Sequence, residues 1–201
     1  MRKGLGYEIF MTALVLVIIA GIAGALLGLV NSFTEIDEDQ LIADKATAVY
    51  DGALDKYAGE EGVEAPIKDE HGEILGVYVP KGEKKEVYVL LVRGYGAYKG
   101  SLDLFVNITG GVIEKIAVYE ANETPGLGSK ALQDKYFAAF YGKKISPEFR
   151  GFNLVKGSAA APDDVSAVTG ASKSSTAVTN AVNAAVKWYQ IRILRRVNDE
   201  K

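Results

Sequence analysis

The sequence predicts an α+β architecture: a single N-terminal transmembrane helix followed by one domain with a largely antiparallel sheet and packed helices. Three observations predict it. Ile9–Val30 contains no charged residue, whereas the rest of the chain is polar. Four segments between Glu73 and Glu120 alternate or run apolar with β-branched and aromatic side chains, the mark of strands. Helical periodicity returns only after them, and strands followed by segregated helices make an α+β domain.

Ile9–Val30 (IFMTALVLVIIAGIAGALLGLV) gives about 22 apolar or small residues, enough to cross roughly 30 Å of hydrocarbon as a helix that satisfies its own backbone. The run exceeds the roughly 7–15 residues of a signal-peptide core, and no A-x-A-like site follows in Asn31–Asp39. A retained anchor is the expectation. Arg2 and Lys3 precede it against Glu8 alone, and Glu35, Asp37, Glu38 and Asp39 follow. Positive flanks stay in the cytoplasm. Residues 1–34 then form a cytoplasmic tip and membrane helix, and 35–201 an extracytoplasmic domain. Ala20, Gly24 and Gly28 make a small-xxx-small face that admits a second helix.

Within the domain, Asp39–Tyr57 has Leu41, Ala48, Val49 and Leu54 at loosely helical spacing and reads as helix, interrupted by Gly52. Glu73–Pro80 and Lys85–Arg93 read as strands, with His71-Gly72 and Lys81-Gly82 as turns. Leu102–Thr109 and Val112–Glu120 form a hairpin about Gly110-Gly111. The alternation predicts one covered sheet face. Ser129–Tyr141 sets Leu132, Tyr136, Phe137 and Phe140 on one helical face, with Ser129 as N-cap and Gly142 as C-cap. A last helix, Ser174–Arg192, repeats Val178, Val182 and Val186 beside Ala177, Ala181 and Ala185, a stripe small enough for close packing on the sheet. Beyond it, Arg192, Arg195 and Arg196 beside Trp188 and Tyr189 read either as a solvated helix end or as a contact to lipid or a partner.

Composition removes much chemistry. The 201 residues include no cysteine and one histidine. That excludes disulfides, thiolate nucleophiles, cysteine-ligated clusters and multi-histidine metal sites within the chain. A net charge of -3 argues against a nucleic-acid partner. No GxxxxGK[ST] or S-x-x-K occurs, Gly94-Tyr95-Gly96 lacks the third glycine of a dinucleotide loop, and His71 reads as a solvated turn residue.

Two loops remain, each rich in small residues and each directly before a helix: Asn122–Lys130 (NETPGLGSK) and Ala167–Ser175 (AVTGASKSS). Glycines and hydroxyls before exposed helix N–H groups suit an anion such as phosphate, and capping loops look the same.

The strings Asn122-Glu123-Thr124-Pro125-Gly126-Leu127-Gly128 and Val168-Thr169-Gly170-Ala171-Ser172 resemble the FMN-binding domain of membrane redox pumps. The likeness is to the FMN-binding G component of the Rnf ion-translocating electron transport complex and to the related C component of the sodium-pumping NADH:quinone reductase. The compact length favours the Rnf component. The resemblance implies FMN held by a phosphoester to the last residue of an [S/T]-G-A-T motif, installed from FAD by a flavin transferase. By position the attachment residue is Ser172, with Thr169, Gly170 and Ala171 as its loop. Glu123, Thr124, Gly126, Leu127 and Gly128 line the isoalloxazine ring and ribityl chain. Serine replaces the usual threonine, and Ser166 stands where the family commonly has aspartate; Asp163 and Asp164 are out of register.

The function implied is that of an electron-transfer subunit within a complex that couples ferredoxin:NAD+ electron transfer to Na+ or H+ translocation. Its partners are the other subunits and membrane lipid, and it has no turnover alone. A non-redox anchored binding or scaffolding module, and a serine hydrolase, are the readings from other classes.

Overall fold

The structure, a computed structural model, describes residues 4–33, 38–57, 68–82 and 86–195. Arg2, Lys3, Glu35 and Asp37, which carry much of the flanking-charge argument, lie outside the described residues, as do Lys85 and Arg196. The chain divides into two compact units, Met1–Glu38 and Asp39–Lys201.

The first unit is helix α1 (Leu5–Phe33), 29 residues without a basic residue in its last turn. At 1.5 Å per residue it is about 43 Å long. Among the described residues it is the one helix long and apolar enough to cross a membrane. Its large side chains are exposed along its length, Val17 and Leu27 among them, and Thr12 Oγ1 donates to the Glu8 carbonyl, so that hydroxyl needs no water.

The second unit is built on a five-stranded antiparallel meander, β1 (Leu54–Lys56), β2 (Gly72–Pro80), β3 (Val87–Ala97), β4 (Gly100–Thr109) and β5 (Val112–Ala121), paired in that order. β3 and β4 run long, with Arg93 opposite Asp103 and Leu90 opposite Val106. On one face Leu90, Val92, Leu104, Val106, Ile108 and Ile116 pack against helix α4 (Ser172–Tyr189). The expected stripe is the buried one: Ala177, Val178, Ala181, Val182, Ala185 and Val186 all lie in the core. Glycines let helix and sheet meet. A Cβ on Gly72 would sit 3.2 Å from the Ala184 Cβ and 2.8 Å from the Arg93 carbonyl oxygen.

The other face is not left to solvent as expected. Ala43, Ala46, Val49 and Leu54 close over Tyr78, Val89, Leu91 and Phe105. This explains why β3 reads as an unbroken apolar run: both of its faces are covered. Farther along that face a polar row takes over. Arg93 forms a two-pronged pair with Asp103, at 2.8 and 2.7 Å, and Tyr95 donates to Glu73, which also pairs with Lys68.

Three helical expectations need correction. Asp39–Tyr57 is not one helix: α2 (Glu38–Lys45) passes into a 3-10 turn, Ala46–Ala48, and the chain then joins the sheet as β1. Pairing of Leu54 with Pro80 at the sheet edge outweighs a weak helical spacing. Ser129–Tyr141 is broken into a 3-10 turn, Gly128–Leu132, and a single turn α3 (Asp134–Phe137), because Gln133 between them is extended. Its aromatic face survives: Tyr136, Phe137 and Phe140 are buried, with Phe140 edge-on to Phe152 at 4.9 Å. Ser129 does not cap it; its hydroxyl accepts from the Gly126 N–H. The last helix starts two residues earlier than expected, at Ser172, and closes in a π turn, Gln190–Leu194. Trp188 and Tyr189 face the core, so neither is free to touch lipid. A short parallel pair, β6 (Asn153–Val155) with β7 (Asp164–Ser166), went unread in the sequence.

Candidate functional site

The site forms where the two small-residue loops meet the start of α4. Gly170, at φ +79, turns the chain into Ala171, which occupies the N-cap position and offers no side-chain cap to the first-turn amides. The loop is pinned from beneath: the Val168 N–H donates to Ser175 Oγ at 3.0 Å, and the Ala171 N–H to the Val168 carbonyl at 2.9 Å. Ser174 and Ser175 are buried, while Ser172 is exposed at the first helical position.

The other loop is a tight turn about Gly126, at φ +78, with the Leu127 and Ser129 N–H groups both donating to the Thr124 carbonyl. Glu123 joins the two loops. Its Oε2 accepts from Ser174 Oγ at 2.5 Å, and its Oε1 is buried with no hydrogen-bond partner. Gly128 is required by that junction, since a Cβ there would lie 2.1 Å from Glu123 Oε2 and 2.7 Å from Ser174 Oγ.

Between the loops lies a cleft of about 500 Å³, lined by Tyr98, Thr124, Leu127, Gly128, Gly170, Ala171, Ser172, Lys173 and Ser174. That size is ordinary for a cofactor site. Six of the nine residues singled out in the sequence are in its wall: Thr124, Leu127, Gly128, Gly170, Ala171 and Ser172. Glu123 lies against Gly128 and Ser174 of that wall, while Thr169 and Gly126 are exposed loop positions outside it. Tyr98, Lys173 and Ser174 are additions. An aromatic residue in the Ala97–Gly100 turn between two strands is the signal that could have found Tyr98.

Ser166 accepts a hydrogen bond from the Ala159 N–H, and Asp164 accepts from Ala160 and Ala161. The Ala161 N–H, foremost, holds the Asp164 carboxyl below its usual range. Asp163 pairs with Lys143. A second cleft, about 350 Å³, runs toward the other end of α4 past Asp69, His71, Arg150 and Lys187. His71 is mostly exposed there, and its N–H donates to Asp69. Among the described residues no three His, Cys, Asp or Glu side chains are grouped to hold a metal.

An α+β domain with an uncapped helix start facing a glycine-rich loop belongs with the phosphate-binding class of domains, and residues 97–187 match the family described as the FMN-binding domain. Over 194 residues, 90% of this chain and 92% of the relative, it is 31% identical to the G component of the Na(+)-translocating ferredoxin:NAD(+) oxidoreductase complex of Acetobacterium woodii. Over 108 residues, 53% of this chain and 55% of the relative, it is 34% identical to the proton-translocating counterpart of Clostridium ljungdahlii. The crystal structure of Shewanella oneidensis NqrC matches at 21% identity and a TM-score of 0.49, covering 70% of this chain and 77% of that one. The chain belongs to the family of G components of Rnf-type ferredoxin:NAD(+) oxidoreductase complexes.

The residues present fit FMN. Uncapped first-turn amides and an exposed hydroxyl suit a phosphate. Leu127 and Tyr98 offer apolar walls to a flat ring, and a Cβ on Gly170 would meet nothing within 4 Å, so the backbone there is open to a close neighbour.

Proposed function

We propose that the chain carries FMN as a phosphoester on Ser172 Oγ and relays electrons within an Rnf-type complex that couples ferredoxin:NAD+ electron transfer to Na+ or H+ export. The observation that carries this reading is Ser172 itself: an exposed hydroxyl at an uncapped helix start, inside a cleft whose other wall is the Glu123–Gly128 loop.

When bound, FMN supplies reversible one- and two-electron transfer, and the rest is done by the chain's own groups. The first-turn N–H groups of α4 hold the phosphate, with a dipole contribution of about 0.3–1 kcal/mol. Gly170 and Ala171 keep the loop low enough for that approach, and Thr169 belongs to the same turn. Thr124, Leu127 and Gly128 border the ring and ribityl chain, Gly126 forms the turn that presents them, and the Glu123–Ser174 bond holds the two loops in register. Transfer from FAD by a flavin transferase forms the Ser172 Oγ–phosphorus bond, breaks the pyrophosphate, and releases AMP and a proton. Outside the cytoplasm a dissociable cofactor would be diluted away, and an ester prevents that.

In this reading residues 1–34 are the cytoplasmic tip and single membrane span, 35–201 the extracytoplasmic domain, and the partners are the other subunits, the transferase and surrounding lipid. The test is intact mass of the full chain with and without a co-expressed transferase. One added FMN, with yellow fluorescence on the denatured band that Ser172→Ala removes, is the expected result. Free flavin in the acid supernatant, or equal band fluorescence from Ser172→Ala, would overturn the ester. No absorbance near 450 nm after co-expression would favour an anchored module without redox chemistry.

A further inference from the structure

Among the described residues of the second unit, five large apolar side chains are exposed: Leu41, Leu75, Tyr98, Val118 and Leu127. The two most exposed, Tyr98 at 71% and Leu127 at 53%, line the same cleft. Lys173 is the third member of this group. Its ammonium lies over the Tyr98 ring, 5.8 Å from the centroid, within cation–π range. It has no acidic partner among the described residues, and it sits in the first turn of α4, where the helix dipole disfavours a cation. An exposed cation in the cleft wall, without an acidic partner and set against the dipole, is open to a ligand that is negative or becomes so.

We propose that Lys173, resting on Tyr98 in the cleft wall, is a positioning charge that would raise the reduction potential of a flavin held there. This rests on the reading that the cleft holds FMN. A positive charge near the ring favours the form that holds more electrons and therefore more negative charge, and at contact range this attraction survives salt screening that removes it at longer distance. The role differs from that of the α4 amides, which hold the phosphate and not the ring.

The experiment measures the midpoint potential of the flavin in the full-length chain, co-expressed with a flavin transferase, for the wild type and for Lys173→Gln, Lys173→Met and Lys173→Arg. The two neutral variants are expected to take up flavin as the wild type does and to shift the oxidised-to-reduced ratio about tenfold toward oxidised. For a two-electron couple that is about 30 mV more negative. Lys173→Arg is expected to keep the wild-type value. An unchanged potential in both neutral variants would overturn the proposal. So would loss of flavin from both, because Lys173 would then serve attachment and not the ring. A wild-type chain that takes up no flavin would overturn the underlying reading, and this one with it. A loaded wild type with unshifted variants overturns this one alone.

Discussion

A Cβ placed on Gly94 would lie 2.0 Å from the carbonyl oxygen of Ala177: strand β3 and helix α4 touch backbone to backbone at that point. No rotamer relieves such a contact, because the obstacle is main chain. Gly94→Ala is therefore expected to force helix and sheet apart and to destabilise by about 3 kcal/mol or more, the upper end of overpacking costs. Thermal unfolding of the two proteins checks it; equal melting temperatures would contradict the packing described.

The serines of α4 separate by role. Ser172→Ala removes an exposed hydroxyl and is expected to abolish the flavin ester with the melting temperature unchanged. Ser174→Ala strips Glu123 of its hydrogen-bond donor and is expected to cost about 1–3 kcal/mol while leaving the ester in place. Band fluorescence and a melt on each variant make the comparison.

Val182 is fully buried between α4 and the sheet. Val182→Asp places an unpaired charge there at a cost of several kcal/mol, and the domain is expected to be unfolded or insoluble. A cooperative melt at the parent temperature would show that the helix face is misassigned.

Stability is expected to fall on the alkaline side. Burial pushes the Tyr78 phenol up to about 12 from an ordinary value of 10.0, and burial, together with donation to Asp134, does the same for Tyr141. Both groups hold their protons more tightly folded than unfolded. Their contribution is fully present below pH 10 and is lost as pH rises from 10 toward 12, roughly 2 to 3 kcal/mol for the fully buried Tyr78. Denaturant melts between pH 9 and 12 measure it, and Tyr78→Phe is expected to flatten the slope.

The strands and the terminal helix were legible because their patterns are dense. The run from Val87 to Arg93 and the valine–alanine stripe of α4 each admit one reading. Asp39–Tyr57 misled because Ala43, Ala46 and Val49 do bury an apolar stripe, but on the second sheet face and in a segment that turns into β1, a tertiary decision invisible to local spacing. The Ser129–Tyr141 helix failed at Gln133, where nothing in the residue type announces an extended backbone. At the site, glycines and hydroxyls revealed both loops. What they could not reveal was the Glu123–Ser174 bond across 51 positions or the approach of Lys173 to Tyr98, since both depend on the sheet bringing distant turns to one helix end.

The burial of Ser174 and Ser175 bears on the order of maturation. Ser172 to Thr176 hold four alcohols in five positions, and to an enzyme meeting that stretch unfolded they are nearly interchangeable. Once the domain has folded, Ser174 is buried with its hydroxyl given to Glu123, Ser175 is buried and accepts from the Val168 N–H, and the Thr176 hydroxyl is given to the Ser172 carbonyl, so the exposed Ser172 is the nucleophile left to find. On the proposed ester, regioselectivity comes from shape, and folding would precede esterification so that each polypeptide receives a single flavin at a single address.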